Sequence, residues 1–225
     1  MKPRDLKSPF NWHQRQVTIR DRIWYVPNYY DQYDSFTFPG WTDPLIFPRA
    51  NPVKIEYCSG NGIWIADRAE REPGVNWVAV EKKFERVRRI WSKIKNRNID
   101  NLLAVCGEGH TVTRHFISSH SVEEIFINFP DPWPKTRHSK NRIVQTSFIL
   151  EIQRILKPNG VITLVTDDSD YSKIMIATMQ ECEGFFSLHP DPHYITRLED
   201  YGTSSFDQLW REKGKNIHYH QYQKR

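Results

Sequence analysis

The spacing of apolar residues changes character near Pro52. Before it, Pro27, Pro39, Pro44, Pro48 and Pro52 punctuate an aromatic-rich stretch running from Trp24 to Phe47. Prolines at this density exclude a long helix. Residues 1–52 therefore read as an irregular extension packed on the main domain, with a frayed start. After Pro52 the pattern alternates between strand and helix. Val53 to Cys58 reads as a short strand ending at a glycine-containing turn, and Ile65, Ala66 and Ala69 share one face of a helix over Ile63 to Glu72. Pro73-Gly74 ends that helix, and Trp77 to Val80 forms the next strand. Phe84, Val87, Ile90, Trp91 and Ile94 recur at helical spacing within Lys82 to Arg97. Strands follow at Leu102 to Cys106, Ile125 to Phe129 and Val161 to Thr166. Helices are predicted over Ser147 to Leu156 and from the last of these strands to about Cys182, with a turn at Pro158-Asn159-Gly160.

Strands alternating with helices of this length imply an α/β domain, residues 53–225, with a mainly parallel sheet and helices on both faces. Such sheets bind ligands beyond the carboxyl ends of their strands. The residues that fall there are Glu56 to Gly62, Glu81, Glu108, Asp131 and Asp167.

Composition adds bounds. The 225 residues fit one large domain or one domain with an extension, and 38% hydrophobic with 26% charged residues fits a folded core. No apolar run approaches the roughly 20 residues of a membrane span. Met1-Lys-Pro-Arg-Asp-Leu-Lys lacks the apolar segment of a secretory signal, so the expectation is a cytoplasmic protein without membrane association. Cys58, Cys106 and Cys182 are far apart and form no Cys-x-x-Cys pair, which suggests neither a zinc site nor a disulfide framework. His218 and His220, two apart on an alternating run, would share a strand face, where exposed histidines are favoured over a metal pair; no metal is expected.

The net charge of +5 hints only weakly at a polyanionic partner. Its distribution is more telling. Residues 81–97 carry eight Lys/Arg against two acids, and residues 1–22 carry six against two. Basic clusters beside abundant Trp, Tyr and Phe suit looped or single-stranded RNA, whose bases stack on rings.

Asn128-Phe-Pro-Asp-Pro-Trp-Pro-Lys-Thr-Arg-His-Ser-Lys-Asn-Arg142 concentrates the candidate chemistry. One carboxylate, Asp131, sits among three prolines and a tryptophan, followed by Lys135, Arg137, Lys140 and Arg142 with no acid among them. A rigid acidic lip leading into a basic tongue suits a nucleobase with phosphates alongside. Trp133 can stack on the base or pack under the loop. Gly60 and Gly62 let backbone approach a ligand at the first strand end, and Glu81 follows at the spacing of a ribose-binding carboxylate. A dinucleotide pyrophosphate would be repelled by Glu56, whereas a sulfonium donor gains from Glu56, Glu81, Glu108 and Asp131.

Taken together, Glu56-x-x-x-Gly60-x-Gly62, Glu81, Phe129-Pro-Asp-Pro-Trp-Pro-Lys135 with Arg137-His138 and Lys140-x-Arg142, Thr166-Asp167 and Thr196-Arg-Leu-Glu199 resemble the bacterial tRNA (guanine-N7)-methyltransferases. The resemblance covers about Pro52 to Glu199. It implies a class I S-adenosylmethionine-dependent, Rossmann-like fold with a seven-stranded sheet whose last strand is antiparallel. It implies S-adenosylmethionine contacts at Glu56, Gly60, Gly62, Glu81, Glu108 and Asp131, and a catalytic part for Asp131. It further implies tRNA or guanine contacts at Lys135, Asp167, Thr196, Arg197, Leu198 and Glu199, with Arg137, Lys140 and Arg142 on phosphates. The acceptor implied is a guanine N7 of tRNA, in the variable loop, methylated by a monomer or homodimer. Cys58 stands where the family usually has glycine, and the tail from Tyr201 to Arg225 differs from the family's usual ending.

Two other readings stay open from the residues. One is a catalytically inactive RNA-binding protein on the same scaffold, motivated by Cys58 and the tail. The other is a Rossmann oxidoreductase, opposed by Glu56. Asp167 itself reads equally well as a helix N-cap.

Overall fold

A hairpin with a two-residue turn supplies the first two strands. In the computed structural model, which describes residues 1–202 and 205–225, β1 (Thr18–Arg20) pairs antiparallel with β2 (Ile23–Tyr25). The connecting Asp21 and Arg22 have φ of +51° and +68°. Two left-handed residues are what a tight hairpin turn needs to match strand twist. Arg22 then holds the turn in place, donating to the carbonyls of Ile46 (2.6 Å), Asp100 (2.5 Å) and Leu102 (3.1 Å). The segment read as irregular thus contains strand, and β2 runs parallel to β5 (Leu102–Cys106) with Trp24 opposite Val105. Its start is not frayed either: the Met1 carbonyl accepts from Ser92 Oγ and Asn96 Nδ2, and Arg88 Nε donates to the Pro3 carbonyl.

Two units make up the chain, residues 1–118 and 119–225. In the first, β3 (Val53–Tyr57), β4 (Asn76–Glu81) and β5 are parallel, in the order β1-β2-β5-β4-β3. Helices α1 (Ile63–Arg71), α2 (Phe84–Asn96) and α3 (Gly109–Phe116) connect or follow them. The apolar stripes read from the sequence are buried: Ile65, Ala66 and Ala69 on α1, and Val87, Ile90, Trp91 and Ile94 on α2, with Phe84 half-buried. Each large side chain so buried contributes roughly 1.5–3 kcal/mol. Trp24 is wholly buried, stacked on Phe38 at 4.4 Å and edge-on to Phe116 at 5.4 Å. Much of the aromatic richness of residues 1–52 is therefore packing rather than an RNA platform.

The second unit holds β6 (Val122–Asn128), β7 (Leu156–Thr166), β8 (Phe185–Ser187) and β9 (His218–Lys224), in the order β6-β7-β9-β8. β6 and β7 are parallel, while β9 runs antiparallel to both β7 and β8. Helices α4 (Thr146–Ile155), α5 (Ser169–Gln180) and α6 (Ser205–Glu212) complete it. The Pro158-Asn159-Gly160 turn is a bulge inside β7: Leu156 faces Val122, Val161 faces Glu124, and Asn159 has φ of +63°. The described residues form nine strands rather than seven. Residues 53–225 supply seven of them, the last antiparallel, and the hairpin β1–β2 supplies the other two. Among the described residues no helix is long and apolar enough to cross a membrane.

Candidate functional site

The turn after β3 is built for close approach. Cys58, Gly60 and Gly62 all have positive φ, at +61°, +55° and +64°. A Cβ on Gly62 would lie 2.6 Å from Ile90 Cγ1, so helix α2 closes tightly over this turn. The position where the family usually has glycine is thus a left-handed one, and Cys58 adopts it at a cost of about 1–2 kcal/mol. Cys58→Gly is expected to raise stability by about 0.5–1 kcal/mol once the looser unfolded chain is counted, read from the urea midpoint.

Glu56 is buried near the end of β3, and its carbonyl accepts from Ser59 Oγ at 2.9 Å. Glu81, buried at the end of β4, reaches across to this turn. Its Oε2 accepts from the Gly60 amide at 3.1 Å, and its Oε1 from the Lys83 amide at 2.8 Å. Arg86 approaches the same Oε2 at 3.4 Å. In a dinucleotide site the Gly60 amide would face phosphate; here it is bonded to a carboxylate. An acid at the place of Glu81 suits the ribose of either nucleoside cofactor; it is Glu56, also buried beside the turn, that fits positive charge and opposes the oxidoreductase reading. Glu108 caps α3, accepting from the amides of His110 (3.1 Å) and Thr111 (2.7 Å) and from Thr111 Oγ1 (2.9 Å). Burial, then the charge of Glu81, pushes the Cys106 thiol up to about 12, so it stays protonated and is no nucleophile.

The cations of the basic helix are largely engaged with the protein itself. Of the eight cations over 81–97, six are engaged within the first unit: Arg86 with Glu81, Arg88 with the Pro3 carbonyl, Arg89 and Lys93 with Asn61, Lys95 with Asp21, and Arg97 with Asp67 and Glu70.

In the second unit, Asp131 is exposed on the loop after β6. Phe129 and Trp133 bracket it with φ of +46° and +43°, a strained conformation for aromatic residues. Arg142 holds the loop: its Nε donates to the Pro132 carbonyl at 2.8 Å and its Nη2 to the Trp133 carbonyl at 3.0 Å. Its guanidinium lies 5.8 Å over the Tyr171 ring. Arg142 therefore braces the Asp131 loop, whereas the sequence reading put it on phosphate. Trp133 is half-buried and meets His138 edge-on at 5.7 Å. Lys135, Arg137 and Lys140 are exposed on or beside a short 3-10 turn, Thr136–Asn141, and make no ion pair among the described residues. The two groups of cations should separate in experiment. With the tRNA that the sequence resemblance implies, Lys140→Ala is expected to lower the slope of log K against log salt by about one. Arg142→Ala is expected to leave that slope unchanged while reducing turnover about tenfold or more through the misplaced loop; filter binding and single-turnover rates measure the two effects.

Asp167 follows β7. The N-cap of α5 is Asp168, which accepts from the amides of Asp170 (3.0 Å) and Tyr171 (2.8 Å). Asp167 is thereby released from the capping role, and its Oδ2 receives Lys215 Nζ at 2.5 Å. The stretch Thr196 to Glu199 has no regular structure; Thr196, Arg197 and Glu199 are exposed and Leu198 is half-buried. Arg211, itself paired with Asp207, fixes the Thr196 carbonyl at 3.1 Å, and the neighbouring Ile195 bridges Tyr219.

The histidine pair of β9 faces inward. His218 Nδ1 and His220 Nε2 both meet Ser172 Oγ, at 2.9 and 3.1 Å, and His220 Nδ1 lies 3.1 Å from the His193 carbonyl. His220 is fully buried, against the expectation of exposed strand histidines. Among the described residues no group of three or more His, Cys, Asp or Glu could hold a metal ion. Burial, then the charges of His218, His189 and His193, lowers His220 from 6.5 to about 4, although its bond to the His193 carbonyl opposes the shift. Above pH 6.5 both folded and unfolded states hold it neutral. As pH falls from 6.5 towards 4 only the unfolded state takes up the proton, so stability is lost across that window. The expected loss is about 3 kcal/mol. Urea titrations of wild type and His220→Asn should differ in slope over this range and not above pH 7.

Comparisons with known proteins bear on these two sets of residues. A family model described as "Putative methyltransferase" matches residues 50–220. A tRNA (guanine-N(7)-)-methyltransferase of Chlamydia caviae is 43% identical over 225 residues, covering 100% of this chain and 99% of that protein. Its counterpart of Chlamydia trachomatis is 45% identical over 220 residues, covering 96% and 95%. One from Lactiplantibacillus plantarum is 32% identical over 169 residues, covering 75% and 78%. Among solved structures, an rRNA methylase from Streptococcus thermophilus superposes with a TM-score of 0.52 at 11% identity, covering 77% of this chain and 87% of that one. TrmN from Thermus thermophilus does so with a TM-score of 0.54 at 14% identity, covering 78% and 45%. At these identities the solved structures support the α/β methyltransferase fold alone.

Proposed function

From the premise that this chain belongs to the tRNA (guanine-N7)-methyltransferase family, we propose a division of labour among its residues. The chain is an enzyme that transfers a methyl group from S-adenosylmethionine to N7 of a guanine in tRNA. The observation that carries the cofactor assignment is the bond that buried Glu81 accepts from the Gly60 amide. S-adenosylmethionine supplies an electrophilic methyl group carried on a sulfonium. Glu56 and Glu81 place negative charge around it, Glu81 accepting from ribose hydroxyls while ordering the turn. Gly60 and Gly62 leave room for it. Glu108 adds a third carboxylate from the N-terminus of α3.

Guanine N7 carries a lone pair and no proton, so no strong base is needed. What the protein has to supply is orientation and charge. Asp131 is the catalytic residue in this reading: it accepts from the N1–H and N2–H₂ edge of guanine, at N2–H₂, and favours the cation that develops as N7 is methylated. Its ties to the cofactor and to guanine are both proposals, as are guanine or tRNA contacts by Lys135, Asp167 and Thr196 to Glu199. Lys135, Arg137 and Lys140 neutralise phosphates, and Arg142 keeps Asp131 in place. The reaction requires no metal, and we place it in the cytoplasm on a variable-loop guanine, performed by a monomer or homodimer.

The inactive RNA-binding reading, motivated by Cys58 and the tail, is not favoured: relatives 43% identical along the whole chain, tail included, carry the methyltransferase name, and Cys58 occupies the left-handed position while the Gly60 amide stays bonded to Glu81. The test is incubation with unmodified tRNA transcripts and labelled donor, followed by nucleoside mass spectrometry. Label in 7-methylguanosine is expected; label elsewhere, or none, refutes the reading.

A further inference from the structure

We propose that Lys215 and Asp167 form one donor–acceptor pair that reads the Watson–Crick edge of the acceptor guanine, with Lys215 specifying O6. The inference rests on the proposed transfer to guanine. It starts from the division between two adjacent acids. Asp168 serves the backbone of α5, leaving Asp167 at the carboxyl end of β7 with a side chain 16% exposed. Lys215 comes to it from the turn after α6, fixed by the bond from its own amide to the Trp210 carbonyl at 2.9 Å. Its ammonium lies 4.0 Å over the Trp210 ring and 2.5 Å from Asp167 Oδ2. A half-exposed ion pair of this kind adds little to stability. Its arrangement has a different use.

Guanine presents O6, N1–H and N2–H₂ side by side: an acceptor followed by two donors. The pair presents an ammonium to O6 and the Asp167 carboxylate to N1–H, the complementary order, and leaves N2–H₂ to Asp131. Lysine spends one of its three N–H groups on Asp167 and keeps the others for O6. Adenine reverses the pattern, setting an amino group against the ammonium and a bare N1 against the carboxylate. Such a mismatch leaves the ammonium and the carboxylate without partners on the base and so discriminates against adenine. The pair is neutral overall, so it reads the base without opposing the positive charge that builds at N7.

The test compares wild type, Lys215→Met and Lys215→Arg on tRNA transcripts carrying either guanosine or 6-thioguanosine at the methylated position. Sulfur is a poor acceptor and leaves N1–H and N2–H₂ in place. Wild type is expected to lose about tenfold in kcat/KM on the thio substrate. Lys215→Met is expected to lose about tenfold on guanosine and to show no further loss on 6-thioguanosine, since the two changes remove one contact. Lys215→Arg, which keeps a donor, should retain the sulfur penalty and most of the activity. A full sulfur penalty in Lys215→Met, or faster turnover of guanosine by that variant, overturns the assignment. If wild type fails to methylate the guanosine transcript, the transfer reading itself falls, and this inference with it.

Discussion

Replacing Asp131 by asparagine is expected to lower the single-turnover rate of methyl transfer about a hundred- to a thousandfold. Asparagine keeps the size and one acceptor oxygen but removes the charge, and it sets an amide N–H₂ against guanine donors. The charge lost is the one that favours the methylated, cationic base. Because Asp131 is exposed on its loop, thermal unfolding should be unchanged within about 0.5 kcal/mol. Near-normal turnover with intact folding would remove Asp131 from the reaction and leave Asp167 as the guanine-facing acid.

Glu81→Gln should show the second large effect, at the other ligand. The wild-type carboxylate divides its two oxygens between the Gly60 and Lys83 amides. Glutamine retains one acceptor oxygen, so one amide is left without its carboxylate and the ribose hydroxyls lose a charged acceptor. Hydrogen bonds to charged groups are worth about 1.5–3 kcal/mol, which corresponds to a roughly ten- to hundredfold rise in the dissociation constant for S-adenosylmethionine. Calorimetry reads this directly. Folding should also weaken by about 1–3 kcal/mol, because the amide left over is buried in the turn. An unchanged affinity would refute ribose recognition by Glu81.

The two acids differ in how visible they were in the sequence. Glu81 ends a strand at a telling distance from the glycine turn, so spacing alone marked it as a ribose acceptor, while its bond from the Gly60 amide was not foreseen. Asp131 stood out through its neighbours, three prolines and a tryptophan, but nothing in those residues indicated that Arg142 would turn back to bind the Pro132 and Trp133 carbonyls. A cation in a run of cations looks like a phosphate ligand until its donors are placed. The same ambiguity inflated the basic helix, whose charges meet Asn61, Asp21, Asp67 and Glu70 from distant parts of the first unit.

Periodicity located β3 to β7, α1, α2, α4 and α5 because each buries one face or a whole run of apolar residues. It missed α3, where Gly109 to Phe116 is short and mostly polar and the cap is a glutamate rather than Ser, Thr, Asp or Asn. It missed β1 and β2 because their turn, Asp21-Arg22, lacks the glycine that usually marks two left-handed residues. The doublet Asp167-Asp168 left the capping role undecided, and only the placement of the α5 amides resolved it. Lys215 carried no signal at all: its importance lies in a partner 48 residues away along the chain.

At the centre of this account is the claim that the protein orients guanine and stabilises charge but takes no proton from it. The direct measurement is the single-turnover rate of 7-methylguanosine formation on a tRNA transcript from about pH 6 to about pH 8, where a general base near neutrality would titrate. With the donor and transcript saturating, the account predicts a rate independent of pH across that range. A rate that rises tenfold per pH unit and then levels would reveal an essential base, and would contradict it.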